Sequence, residues 1–196
     1  MLELLTGAGL ASSAGLNAYI PLLAAGLLSR FTPLFDLAPS WAWLEHPATL
    51  VVLGVLLAVE VLADKVPAVD SVNDVVQTLI RPTSGGITFG AGASSFTTDM
   101  DAGDGSWWPI ITGAVIALAF HVLKAVSRPV LNTVTAGTGG PVVSVIEDVA
   151  SAVTSFLAIV LPILILVVVP ATAAVGVWAW RRRRRRKRER GAEAPA

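Results

Sequence analysis

Residues 141–180, PVVSVIEDVASAVTSFLAIVLPILILVVVPATAAVGVWAW, carry two charged side chains, Glu147 and Asp148, both near the start of the stretch. As one straight α-helix, at 1.5 Å per residue, it would be about 60 Å long, against a hydrocarbon layer of about 30 Å. The stretch therefore predicts a tight helical hairpin that turns back near Pro162 or Pro170, because proline has no N–H and ends or kinks a helix. A single soluble core has no use for so much apolar length. The fold class that follows is all-α, a polytopic transmembrane helix bundle, since helices satisfy their own backbone in hydrocarbon.

Working outward, Leu4 to Leu28 is long enough to cross with tilt and closes at Arg30. A proline-rich loop, Phe31 to His46, holds Asp36, Glu45, Trp41 and Trp43, and Pro47 to Ala63 forms the next span, ending at Asp64 and Lys65. Then the pattern changes. Val69, Val72, Val76, Leu79 and Ile80 recur at helical spacing with Asp70, Asn73, Asp74 and Gln77 opposite, which predicts an amphipathic helix lying at the membrane surface. Thr83 to Phe96 is short and glycine-rich, and either crosses or re-enters. After an acidic loop with Asp99, Asp101 and Asp104, Trp107 and Trp108 open a span that runs to about Leu123. All six tryptophans thus fall at predicted interfaces.

The 196 residues are 54% hydrophobic and 14% charged, with mean hydropathy +0.72, well below the soluble average of about 25% charged. The net charge of zero hides an asymmetry. Arg181, Arg182, Arg183, Arg184, Arg185, Arg186, Lys187, Arg188 and Arg190 supply nine of the 14 basic residues, leaving a body with five basic against twelve acidic side chains. This run directly follows Trp178 and Trp180, so it is expected to anchor the chain at the cytoplasmic face against anionic lipid, not to bind nucleic acid. Residues 1–180 are read as the membrane domain and 181–196 as a disordered cytoplasmic tail. If Lys65, Arg81, Lys124 and Arg128 are also cytoplasmic, the number of crossings is even, and six spans in three hairpins satisfy it; four spans plus re-entrant segments are the alternative. There are no cysteines, which excludes disulfides, thiolate metal sites and a cysteine nucleophile. Glu3, with no basic residue ahead of the first apolar run, does not suit a secretory signal, and the first helix is read as part of the mature protein.

The candidate site residues are the polar groups placed at depth. Glu60 and Asp64 lie one helical turn apart on one face, a spacing that suits a proton-accepting or cation-binding pair, whereas Asp64 and Lys65 in the headgroup layer would simply neutralise each other. Glu147 and Asp148 begin a stripe continued by Ser144, Ser151, Thr154 and Ser155. Such a stripe faces protein or water, and interhelical hydrogen bonding accounts for its hydroxyls but not for two adjacent carboxylates. His121 precedes Lys124 by three residues; a lone imidazole can relay protons or bind a metal, or be a hydrogen-bonded structural residue. In the first span, Ser12, Ser13, Gly15 and Asn17 precede Pro21, whose ring opposes the carbonyl of Asn17 one turn earlier. That predicts a kinked packing helix or a broken one whose freed backbone groups and Asn17 amide contact a substrate. A weak repeat aligns Ala58-Val59-Glu60-Val61-Leu62 with Ala119-Phe120-His121-Val122-Leu123, as transporter halves often do.

Gly15-Leu16-Asn17-Ala18-Tyr19-Ile20-Pro21, Glu60, Ala63-Asp64-Lys65-Val66-Pro67-Ala68-Val69-Asp70-Ser71 and Arg81-Pro82 together resemble the bacterial integral membrane proteins grouped as domain of unknown function family 4126. The resemblance covers Leu4 to Val169 and leaves the arginine tail outside. It implies a multi-pass protein of the bacterial cytoplasmic membrane and no particular activity. Glu60 with Asp64-Lys65 is also similar to the Glu-x-Gly-Asp-Lys-Ser/Thr motif of cation and proton exchangers. Here the acidic spacing is one residue longer, the glycine is missing and Val66 replaces the hydroxyl residue, so metal binding is not carried over.

Three functions are weighed. The first is a small transporter or channel passing a cation or small solute, its interior lined by Asn17, Glu60, Asp64, His121, Glu147 and Asp148. The second is a membrane scaffold or accessory protein whose basic tail recruits a cytoplasmic partner or anionic lipid. An intramembrane enzyme ranks last, because no nucleophile motif, phosphate loop or metal spacing is present. No cofactor is implied, the lipid bilayer is the expected partner, with anionic lipid at the basic tail, and a homo-oligomer is allowed without a number being fixed.

Overall fold

The structure, a computed structural model, describes residues 1–64, 67–94, 107–134 and 139–192. Lys65 and the acidic loop with Asp99, Asp101 and Asp104 lie outside the described residues. The described chain is all-helical: α1 (Leu2–Leu16), α2 (Tyr19–Phe31), a 3-10 turn (Pro39–Glu45), α3 (Pro47–Ala63), α4 (Pro67–Ser94), α5 (Trp108–Val134), α6 (Gly139–Val160), a 3-10 turn (Pro162–Leu164) and α7 (Ile165–Ala192).

Helix α1 is the centre. It touches α2, α4, α5, α6 and α7, and residues 9–15 are all buried. Its run of Gly, Ala and Ser makes this possible, because small side chains let backbones approach on several sides. A Cβ on Gly7 would sit 2.8 Å from the Phe89 carbonyl of α4, and one on Gly9 would sit 2.6 Å from the Ala158 Cβ of α6. Larger residues fill the spaces further out: Tyr19, Leu22, Trp41 and Leu44 form one cluster, and Leu10, Phe35, Ile159 and Ile165 another.

The outer faces are the reverse of a soluble protein's. Val51, Val52, Val55, Val59 and Leu62 of α3, Ile111 and Val115 of α5, and Val142, Ile146, Val149 and Val153 of α6 are all exposed, while Ser, Thr, Arg and Glu side chains are inside. Such a surface suits hydrocarbon. Among the described residues two helices are long and apolar enough to cross a membrane alone, over Trp108–Ala125 and Val142–Val160; a third counts if Pro39–Glu45 and Pro47–Ala63, bent by 60°, are one span.

Several expectations are corrected. The separate surface helix and glycine-rich segment are one continuous helix, α4, running through Pro82. Val75, Val76 and Leu79 point outward while Gln77, Arg81, Ser84 and Thr88 are buried, so from Gln77 onward its polar face turns into the bundle instead of toward water; the side chains of Asp70, Asn73 and Asp74 lie outside the described residues. For the same reason Arg81 and Lys124 are not cytoplasmic loop markers: both lie inside helices and are buried. Trp41 does not present its ring to the surroundings. It is buried against Gly90 of α4, where a Cβ would lie 2.5 Å from its ring. The span Leu4 to Leu28 is two helices parted at Asn17 and Ala18. The backbone stays helical to Ala192, so the basic segment read as disordered extends α7; arginine is itself a good helix former. Of the two prolines named for a turn, Pro162 breaks the helix and Pro170 lies inside α7.

Candidate functional site at the broken first helix

Asn17 is extended, with φ −141° and ψ 127°, because Pro21 can neither donate to its carbonyl nor fit against it. The side chain repairs the damage. Its Oδ1 accepts the N–H groups of Tyr19 (3.0 Å) and Ile20 (3.1 Å) at the start of α2, a capping arrangement, and Nδ2 donates to Asp148 Oδ1 at 2.9 Å. These partners fix the amide's orientation.

The carbonyls on either side of the break are met by other helices. Arg81 Nη1 of α4 donates to Gly15 O at 3.4 Å, Lys124 Nζ of α5 donates to Leu16 O at 3.0 Å, and the Ser84 hydroxyl donates to Ala18 O. Cations at a helix C-terminus are favoured by the dipole and by the unsatisfied carbonyls there.

Each cation is held in turn by carboxylates. Arg81 Nη2 is 3.1 Å from Glu60 Oε1, with both side chains buried. Lys124 Nζ is 2.9 Å from Glu147 Oε2 and 3.9 Å from Asp64 Oδ2, and the Ser144 hydroxyl donates to Asp64 Oδ2 at 2.7 Å. Arg81 Nη1 also lies 3.1 Å from His121 Nδ1. A guanidinium can only donate, so Nδ1 is the acceptor. The proton of the neutral ring is then on Nε2, which faces Thr78 Oγ1 at 3.1 Å. Three further buried polar atoms, Glu60 Oε2, Arg81 Nε and Gln77 Oε1, have no hydrogen-bond partner among the described residues.

All six residues singled out from the sequence thus meet around one break: Asn17 with Asp148, Glu60 and His121 through Arg81, and Asp64 and Glu147 through Lys124. Glu60 and His121, the aligned positions of the weak repeat, flank the same guanidinium. Ser151 and Ser155 of the hydroxyl stripe do what packing alone requires, with Ser13 Oγ within 2.7 Å of both hydroxyls, whereas Ser144 joins the network through Asp64. Among the described residues no group of three or more His, Asp and Glu side chains is arranged to hold a metal ion. At the other end of the chain Arg182 stacks over Trp178, 5.2 Å from the ring centroid; the side chains of Arg183 to Arg188 lie outside the described residues.

Arg81 and Lys124 are the members of this network that sequence reasoning missed. The signal for Arg81 was the polar row of Asp74, Gln77, Arg81, Ser84 and Thr88 at helical spacing, legible only if α4 is carried through Pro82. For Lys124 it was the i, i+3 relation to His121.

Fold and site together define an all-helical protein, apolar outside, with an ionic network buried at an interrupted central helix. A family model described as Domain of unknown function (DUF4126) matches residues 4–182, and the chain belongs to that family. The match extends past Val169 through the apolar part of α7 to Arg182. No curated protein and no solved structure matches the chain.

Proposed function

We propose that the protein is a small multi-pass membrane transporter or channel that passes a cation or small solute along the groups gathered at the α1–α2 break. The observation that carries this is the break itself: a central helix interrupted within an apolar bundle, its carbonyl end facing Arg81 and Lys124 and its N–H end capped by Asn17 beside Asp148. Discontinuous helices in transporters offer backbone groups to a passing solute in this way. Buried charges in hydrocarbon are costly and are retained where they serve a pathway. The unpartnered Glu60 Oε2, Arg81 Nε and Gln77 Oε1 add acceptors and a donor that water or a solute can serve. In this reading the outward Val, Leu and Ile faces meet lipid, six crossings complete the bundle, and the carboxylates couple passage to protonation.

Flux of a panel of monovalent and divalent cations and protons into proteoliposomes tests it. The expected result is flux of at least one ion, lowered tenfold or more in Glu60→Gln and Glu147→Gln. Absence of flux for every ion, or flux unchanged in both variants, overturns the reading.

A second reading, a membrane scaffold acting through its basic segment, is favoured by one observation, the stacking of Arg182 on Trp178 at the start of the basic run. Deleting residues 181–196 separates the two: a pore keeps its flux, whereas a scaffold loses partner or anionic-lipid binding with the carboxylates intact.

A further inference from the structure

Where α2 ends, the 3-10 turn Pro39–Glu45 and the start of α3 border a shallow, open cavity of about 370 Å³, lined among others by Arg30, Trp43, Glu45, His46 and Thr49. It has a defined charge layout. Arg30 Nη1 donates to the Glu45 carbonyl at 3.0 Å, which orients the guanidinium while Arg30 itself stays exposed. The Glu45 carboxylate is held through Oε1 by the Ser29 hydroxyl at 2.8 Å. His46 Nδ1 accepts the Ala48 N–H at 3.3 Å, so the neutral ring carries its proton on Nε2 as a further donor. The cavity thus offers one cation and two neutral donors, Nε2–H of His46 and the Thr49 hydroxyl, beside one carboxylate.

Its surroundings are apolar. The exposed face of α3 begins within a turn of Thr49, with Val51 66%, Val52 56% and Val55 58% exposed, and Trp43 is 46% exposed at the rim. Tryptophan prefers the headgroup level of a bilayer. A cavity lined by one cation and one carboxylate, followed along the same helix by exposed valines, matches an amphiphile in its parts: a zwitterionic head and a hydrocarbon body.

We propose that this corner is a binding site for a zwitterionic phospholipid with a primary ammonium group. Its phosphate sits on Arg30, supported by His46 and Thr49, through charge-assisted hydrogen bonds. The ammonium sits on Glu45, and the acyl chains run along Val51, Val52 and Val55. The carboxylate disfavours a headgroup carrying only negative charge. None of these residues belongs to the network at the helix break, so the site stands independently of the transport reading.

Protein purified in lipid-free detergent is titrated with phosphatidylethanolamine, phosphatidylglycerol, diacylglycerol or inorganic phosphate, with retention read by native mass spectrometry and stabilisation by thermal melting. Phosphatidylethanolamine is expected to be retained several-fold better than phosphatidylglycerol and diacylglycerol, with no shift from inorganic phosphate. Arg30→Gln is expected to lower its retention several-fold. Glu45→Gln, which keeps an acceptor for Ser29, is expected to erase the preference over phosphatidylglycerol, both variants melting as the parent does without lipid. The proposal is overturned if the unaltered protein retains diacylglycerol or phosphatidylglycerol as well as phosphatidylethanolamine, if inorganic phosphate alone produces the shift, or if Arg30→Gln changes nothing.

Discussion

The helical run is interrupted at Asn17–Ala18 and again at Leu161–Pro162, and the two interruptions are finished in different ways. At the second, the backbone closes on itself: Leu161 N–H bonds to Leu157 O at 2.9 Å and Leu164 N–H to Leu161 O at 3.0 Å, within an apolar cluster that includes Ile159 and Ile165. At the first, Arg81, Ser84, Lys124 and Asp148 arrive from three other helices to meet the loose ends. Proline alone does not explain the contrast, since Pro82 and Pro170 sit inside α4 and α7 without ending them. A break closed by its own backbone is a turn. A break held by ion pairs is tied to the charge state of those pairs, and it is the one that the proposed transport would act through.

The sharpest way to break the comparison is Arg81→Met. It leaves Glu60 buried without its cation, and losing one partner of a buried pair costs about 3–5 kcal/mol. Unfolding in detergent should show a drop of that order, and adding Glu60→Met should recover most of it; no recovery means the arginine acts through packing alone. Asn17→Ala removes a helix cap and the partner of Asp148, an expected loss of about 1–2 kcal/mol by the same measurement. Pro162→Ala is expected to change stability least, by less than about 1 kcal/mol, because the turn's hydrogen bonds are made by backbone. An effect there as large as that of Arg81→Met would erase the distinction between the two breaks.

Much of this was legible in the sequence, for identifiable reasons. Long apolar runs and the prolines that interrupt them follow from hydrocarbon thickness and proline's missing N–H, so the all-helical fold could be read directly and the break narrowed to Pro162 or Pro170. The site residues stood out because ionisable groups at depth are rare. What failed was the assignment of faces. The valines of α4 mark a helix side equally well whether it meets a membrane surface or hydrocarbon beside a bundle, so Gln77 was turned toward water when it is buried in the bundle. Arg81 and Lys124 were likewise counted as loop charges, because positive charge near a span end reads as cytoplasmic until a buried carboxylate is known to stand opposite. Such pairings join residues far apart in the chain, such as Glu60 with Arg81 or Lys124 with Glu147, and no local pattern encodes them.

Because the chain has no cysteine, single cysteines can be introduced cleanly and their accessibility read in membranes. The most direct measurement is the reaction of Asn17→Cys and Ser144→Cys, against Val52→Cys and Val115→Cys, with a small membrane-impermeant thiol reagent applied to either side of sealed vesicles. The expected result is labelling of the two interior positions from at least one side and none of the outward valines. Labelled valines with an unreactive Asn17→Cys would mean that water lies outside the bundle and not within it, and would contradict the transport pathway and the membrane placement together.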